Sequence, residues 1–363
     1  MGRFAMAASE KGLMATSKIS LQGEYLFGRI VKHNRYFEPD PTKFTHGAYI
    51  TVLHQTDGKH AWQRKMHFPE LGGIIAYMRH GDQKYFGDVF LMMGAVKFWM
   101  FRTQPIEGYL QLGSGLAITT RYFHVIHNPE NAVIGSALNY SFQLKLGLEG
   151  KLHPSVRMGA AISFSHYSNS AVQLPNLGIN VAGLLVGVRY FPNAARPWSY
   201  NRNPYPKPQK RHELMMKLSL SMHEMRPRGG PKYPIYGFTT NYAYYTSIIH
   251  KILAGFTLDY SQAAYDFLMY YGNATGLRPE VYSLQAGLFT GSEIMIGRVS
   301  IFFIIGAYVF DPRKNWPVYT KVGSNYYFAT IGKKKTSRMF IGANVKSHVF
   351  VAQNLEMSAG VAF

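Results

Sequence analysis

The feature that most constrains this chain is a period of two that persists for longer than a soluble strand needs. Over residues 134–148 the even positions Ile134, Leu138, Tyr140, Phe142, Leu144, Leu146 and Leu148 are apolar. The odd positions Asn139, Ser141, Gln143 and Lys145, with Glu149 just beyond, are polar. A helix would scatter the two sets around its circumference, whereas a strand separates them onto two faces. Ordinary strands run ~5–6 residues. A strand that crosses a bilayer needs ~9–11 tilted residues and often extends further.

The pattern recurs. Leu110, Leu112, Leu116 and Ile118 alternate with Gln111, Gly113, Gly115 and Thr119. Met339, Ile341 and Val345 alternate with Gly342, Asn344 and Lys346. The last segment places Val351, Leu355, Met357, Val361 and Phe363 opposite Asn354, Glu356, Ser358 and Gly360. A C-terminal Phe at the apolar parity resembles the end of bacterial outer-membrane proteins. Further candidate strands lie at 18–30, 46–56, 71–80, 88–101, 155–168, 178–191, 212–225, 234–248, 252–267, 281–292, 295–310 and 317–328. Turn clusters such as His127–Asn131, Arg226–Pro231 and Asp311–Trp316 separate them. The reading is an all-β, transmembrane, antiparallel up-and-down barrel of about 14–16 strands. The stretch 193–211, rich in Pro, Asn and basic residues, divides 18–192 from 212–363, and residues 1–17 read as a disordered or post-signal segment. One barrel with a long loop is preferred over two in series. The competing architecture is a soluble sandwich, whose outward faces carry more charge.

Composition narrows the class further. The chain is 47% apolar and 16% charged, which excludes a solvated coil. It has no Cys, which excludes a disulfide scaffold or a Cys-ligated metal. The longest apolar stretch, about Ile301–Phe310, is too short for a spanning helix. No apolar signal core is visible in residues 1–17. The net charge of +20 favours polyanions such as anionic lipid or phosphorylated glycolipid. Nucleic acid gets little support, because no nucleic-acid motif appears. Histidines 54, 60, 67, 80, 124, 127, 212, 223 and 250 are scattered without metal-ligand spacing, and neither metal nor cofactor is expected.

One segment departs from plain alternation. Val156, Met158, Ile162 and Phe164 share the lipid-side parity, and His166 and Ser168 continue it. On the next strand Ala182, Leu184, Val186 and Val188 are lipid-side, and Asn180 shares their parity. Residues two apart on a strand lie ~6.5–7 Å apart on one face. An imidazole can reach a hydroxyl at that separation, the minimum for nucleophilic acyl transfer. The Asn180 carbonyl oxygen is placed to accept from Nδ1–H and fix the tautomer, although it brings no charge to stabilise an imidazolium. The turn holding Asn169, Ser170 and Ala171 is a candidate source of oxyanion donors. The bland alternative is a set of interfacial polar residues at a strand end.

The run His166-Tyr167-Ser168-Asn169, followed by Pro175-Asn176-x-Gly178-Ile179, resembles the signature of the PagL-type lipid A 3-O-deacylases, the acyloxyacyl hydrolase family. The similarity covers roughly residues 45–192, and the second half looks like the extension of longer Bacteroidetes-type members. The resemblance implies a bacterial outer-membrane barrel whose lipid-facing Ser-His-Glu triad hydrolyses an ester-linked hydroxyacyl chain of lipid A. By motif match Ser168 takes the nucleophile place, His166 the base, and Asn169 the position beside the oxyanion hole. Asn176 and Ala171 complete the expected turn. Two departures stand out: the acid position is Asn180, and the family Ala-Gly is Ser170-Ala171.

Lipid A carries phosphates beside its esters. Arg121, Lys207, Lys210, Arg211, Arg226, Arg228 and Lys232 are candidate partners for them. The rival readings are a catalytically impaired lipid-binding barrel of the same ancestry and a porin or transport barrel.

Overall fold

The computed structural model describes residues 19–103, 105–192, 200–208, 211–225, 228–272, 276–314, 316–332, 337–348 and 351–363. The expected N-terminal segment and the cations Lys210 and Arg226 lie outside these residues. The strands are β1 (Ile19–Ile30), β2 (Phe44–Gln55), β3 (Glu70–Arg79), β4 (Asp88–Thr103), β5 (Ile106–Thr119), β6 (Leu138–His153), β7 (Val156–Ser168) and β8 (Ile179–Tyr190). They continue as β9 (His212–Glu224), β10 (Lys232–Ser247), β11 (His250–Ser261), β12 (Leu284–Ile296), β13 (Val299–Phe310), β14 (Val318–Ile331), β15 (Ser337–His348) and β16 (Val351–Ala362). Short helices α1 (Ala61–Lys65), α2 (Gln83–Phe86), α3 (Gln262–Tyr271) and α4 (Pro279–Tyr282) sit in connections.

The strand number agrees with the sequence reading, but the closure differs. β1–β8 form one closed antiparallel barrel and β9–β16 a second, so the preference for a single barrel is corrected. The edge of β8 is consumed by β1, in a register running from Leu21↔Tyr190 to Ile30↔Val181. No edge is left there for β9, which pairs with β16 instead, through Glu356↔Ser221 to Ala362↔Met215. Eight strands enclose an interior that side chains can fill, so each half is self-sufficient. Periodicity reports faces and is silent on which edge a strand will meet. A second correction concerns 252–267: β11 ends at Ser261, whose side chain accepts from the Ala264 N–H and caps α3.

Both walls are inverted relative to a soluble protein. Tyr25, Ile50, Ile75, Met92, Ile118, Ile162 and Leu184 point outward and are exposed, as are Leu218, Leu288, Phe303 and Met357 on the second barrel. An apolar surface that continues around a whole barrel needs lipid, not water.

Ion pairs fill the first interior. Lys145 Nζ lies 2.6 Å from Glu24, Arg189 lies 3.1 Å from Glu149 and also bonds Glu70, and Lys97 bonds Glu149. In the second, Lys251 lies 2.8 Å from both Glu213 and Glu293, Lys321 2.9 Å from Glu356, and Lys346 2.6 Å from Asp259. Such pairs keep buried charge tolerable only while both partners remain.

The chain divides into two compact units. One holds residues to Asn169 together with Asn176–Pro204; the other holds Ser170–Pro175 together with Tyr205–Phe363. In the first barrel the connections β4–β5 and β6–β7 are tight turns, while β1–β2, β3–β4, β5–β6 and β7–β8 share the opposite, longer-looped end. Outward aromatics ring that end: Phe27 stacks on Phe44 with centroids 4.6 Å apart, and Tyr77 meets Phe90 at 5.2 Å. Aromatic girdles of this kind mark a membrane interface.

Candidate active site

His166 and Ser168 close β7, and Asn180 opens β8 directly opposite His166 in the antiparallel register. All three share the outward parity of Ile162, Phe164 and Leu184. His166 Nδ1 lies 2.6 Å from Asn180 Oδ1, and Nε2 lies 3.1 Å from Ser168 Oγ. An amide oxygen only accepts, so Nδ1 carries the proton and Nε2 offers its lone pair to the serine hydroxyl. That tautomer is the one a general base needs.

The return chain at Gly178 passes against the serine, which retains only 5% exposure. Asn169 donates its backbone N–H to Asn176 Oδ1 at 2.9 Å, and its side-chain amide to Ser136 Oγ at 2.8 Å. The Asn169 N–H is therefore engaged, and what Asn176 does locally is to hold the residue after the nucleophile. Ser170 and Ala171 follow with φ of +52° and +63°, left-handed values that non-glycine residues rarely adopt. Gly178 has φ +77°, and a Cβ there would sit 2.6 Å from the His166 ring and 3.0 Å from Ser168 Cβ. Only glycine permits the return chain to pass that close behind the imidazole.

Several supporting residues escaped the sequence reading. Ile134, expected on a lipid-facing strand, is fully buried and bridges to Asn176, with β6 starting only at Leu138. The cause is local: Asn131 Oδ1 accepts from the N–H groups of Val133 and Ile134, turning the chain before the strand begins. The Val133 carbonyl then accepts from Leu177 and Gly178. His33, from the β1–β2 connection, places Nε2 3.1 Å from the Leu177 carbonyl. Beneath the site, Tyr167 points inward between its two outward neighbours and bonds the buried His80, whose Nδ1 lies 3.1 Å from Thr45 Oγ1. Burial pushes the His80 imidazole down to about 4, so it is neutral near pH 7. Asn131 reads in sequence only as part of a turn cluster, and His33 and His80 carry no pattern, because their roles depend on loops meeting in space.

Among the candidate phosphate partners, Arg121 is exposed in the β5–β6 connection, at the same long-looped end of the first barrel as the β7–β8 connection. Arg29, Lys43 and Arg79 join it there. Lys207, Arg211, Arg228 and Lys232 belong to the second unit. Among the described residues no group of three metal-binding side chains gathers.

The model of the lipid A 3-O-deacylase family (PagL) matches residues 48–189, and that of the acyloxyacyl hydrolase C-terminal domain matches 212–363. A search of curated proteins finds no match. Among solved structures, the chain is similar to the outer-membrane enzyme PagL at 16% identity, over 46% of this chain and 97% of that one, with a TM-score of 0.34. Neisserial surface protein A is similar at 13% identity, over 48% and 97%, with a TM-score of 0.30. OccAB4 of Acinetobacter baumannii is similar at 10% identity, over 97% and 99%, with a TM-score of 0.25.

Proposed function

Because the chain belongs to the PagL lipid A 3-O-deacylase family, we propose that it hydrolyses an ester-linked hydroxyacyl chain of lipid A in the bacterial outer membrane, using Ser168 as nucleophile, His166 as general base and Asn180 as the group that orients the base. One observation carries this reading: the two-bond relay from Asn180 through His166 to Ser168, on the outward face of β7 and β8.

The chemistry runs as follows. Nε2 of His166 takes the serine proton as Oγ attacks the ester carbonyl carbon. The tetrahedral intermediate collapses, the C–O bond to the sugar breaks, and the same Nε2–H protonates the departing alkoxide. Water, activated by His166, then releases the fatty acid. The Ala171 N–H, in the turn after Ser168, is the proposed oxyanion donor, with Asn169 and Asn176 holding that turn. Below the serine, Phe164 and Ile162 face Ala182 and Leu184 across β7–β8, an apolar wall with a shallow floor at Ala182 where an acyl chain can lie. Arg121 and its basic neighbours supply charge for the glycolipid phosphates.

Asn180 separates this site from a Ser-His-Glu triad. Its amide fixes the tautomer but leaves the transient imidazolium without a counter-charge, so turnover is slower than with a carboxylate. The pore reading is disfavoured by interiors whose charged side chains bond one another between non-adjacent strands, as Lys145 does with Glu24, Arg189 with Glu70 and Lys346 with Asp259.

The test is mass spectrometry of lipid A from cells expressing the wild type, Ser168→Ala and His166→Ala. Loss of one hydroxyacyl mass with the wild type alone is expected. Identical lipid A in all strains would return the chain to a lipid-binding role. Asn180→Glu is expected to raise the rate about tenfold, and a rate below wild type would show that the amide is required for its shape.

A further inference from the structure

The second barrel carries its own serine–histidine pair on its outer wall. His250 opens β11, and Ser292 lies on β12, whose outward residues at Leu288 and Ile294 share its parity. His250 Nε2 lies 2.8 Å from Ser292 Oγ. Thr246, near the end of β10, places Oγ1 2.5 Å from His250 Nδ1 and 3.3 Å from the His250 carbonyl oxygen. In the Nδ1–H tautomer the threonine hydroxyl accepts from the ring and donates its own proton to the His250 carbonyl oxygen. Nε2 is then bare and accepts from Ser292. A hydroxyl can also donate to Nδ1, so Thr246 holds the ring in place without imposing one tautomer as the Asn180 oxygen does.

An apolar groove of about 490 Å³ lies on the wall of the same barrel. Its wall includes Leu214, Tyr242, Phe256 and Leu288, and its floor is Ala254. Ala254 pairs with Thr290, two residues from Ser292 on the same face. The groove floor therefore lies one two-residue step, ~7 Å along the strand direction, from the level of Ser292, at about 3.3 Å rise per residue. The site also has a definite depth. Ile248 and Ile249 alone connect β10 to β11, and Gly297 and Arg298 alone connect β12 to β13 at the same end. Phe363 closes against Leu214 there as well. The 22-residue stretch 262–283 leaves from the other end. Short turns mark the periplasmic end of outer-membrane barrels, and the leaflet at that end is glycerophospholipid.

We propose that Ser292, His250 and Thr246 form a second ester-cleaving site, whose substrate is the acyl ester of an inner-leaflet glycerophospholipid with its chain in the Ala254 groove. Ser292 Oγ attacks the ester carbonyl, and its proton passes to His250 Nε2. The C–O bond to glycerol breaks, Nε2–H protonates the glycerol oxygen, and a lysophospholipid leaves. Water then hydrolyses the acyl-serine to fatty acid. Ser292 sits within a paired ladder and has no turn to cradle an oxyanion, so this site runs ~10²–10³-fold below a site that has one.

The test uses the full-length Ser168→Ala chain, so that the first site is silent. In detergent it is treated with a fluorophosphonate probe, and the adduct is located by peptide mass spectrometry. Label on Ser292 is expected, lost when His250→Gln is added and slowed about tenfold by Thr246→Ala. In vesicles of phosphatidylethanolamine and phosphatidylglycerol, the Ser168→Ala chain is expected to release lysophospholipid at least tenfold faster than Ser168→Ala with Ser292→Ala. Circular dichroism confirms that each variant keeps its strands. An unlabelled Ser292 in a folded chain, or equal release with and without it, overturns the proposal. Neither result bears on Ser168, whose own adduct is read separately in the wild type.

Discussion

The two barrels present the same pair of side chains in different settings. In the first, His166 and Ser168 sit on one strand at the long-looped end, and Asn131, Ser136, Asn169, Asn176 and Gly178 buttress them. In the second, His250 and Ser292 sit on neighbouring strands beside a two-residue turn, with Thr246 against the histidine Nδ1. A nucleophile beside a base is easily built on a strand, because the pleat and register place outward side chains within reach of each other. A shaped turn after the nucleophile is harder, since it draws on several connections at once. On the proposed assignment, the contrast predicts that turnover depends on the loops more than on the serine–histidine contact.

The largest effect expected is at Ser168. Ser168→Ala should reduce lipid A deacylation by ~10³-fold or more, since the residual rate rests on binding alone. Hydroxyacyl release from purified lipid A, followed by mass spectrometry, measures it. A loss below tenfold would mean that the buttressed site is not where the family chemistry occurs.

The interiors differ too, and carboxylate removal sharpens the difference. Glu149 receives Lys97, Arg157 and Arg189, and Lys97 has no other carboxylate within bonding distance among the described residues. Glu293 receives one cation, Lys251, plus the neutral donors Ser300, Tyr327 and Asn325, and Lys251 keeps Glu213. Glu149→Gln should therefore cost about 3–5 kcal/mol, the usual result of stranding a buried charge. Glu293→Gln should cost less than half of that. Urea midpoints in lipid vesicles test the order, and equal shifts would show that the two interiors relax alike.

Acid should act through His80 in the first barrel. Its folded value of about 4 lies below the ordinary 6.5, so folding favours the neutral ring. Stability is complete above pH 6.5 and falls as pH drops toward about 4, where the unfolded chain binds a proton that the folded one refuses. At 1.36 kcal/mol per pH unit the loss is about 3 kcal/mol. Proteolysis of the long-looped end should rise over this window in the wild type and stay flat in His80→Gln.

Much of this was legible in residues alone. Alternation along 134–148 and its repeats identified strands, faces and lipid exposure, because a pleat maps parity directly onto sides. The same parity placed His166, Ser168 and Asn180 together. Closure was not legible: β8 meeting β1 rather than β9 depends on backbone edges, which have no residue code. Nor was the start of β6 at Leu138, where Asn131 draws Val133 and Ile134 into a turn although their apolarity continues the strand pattern. The second serine–histidine pair was hidden for a further reason. Its members are 42 residues apart and meet only through the β11–β12 register.

The smallest expected effect concerns the turn that distinguishes the two settings. Ala171 holds φ +63°, and a left-handed conformation costs an L-residue with a Cβ ~1–2 kcal/mol. Glycine at this position pays no such cost but loses more backbone entropy on folding. The balance predicts that Ala171→Gly stabilises the folded chain by about 0.5–1 kcal/mol. Because Asn169 and Asn176 already pin the start of the turn, the deacylation rate should change less than threefold. Thermal midpoints and initial rates on the same preparation separate the two effects. A higher midpoint with a large fall in rate would mean that the strain at Ala171 aims its N–H, and that the chain keeps a costly backbone in exchange for a better oxyanion donor.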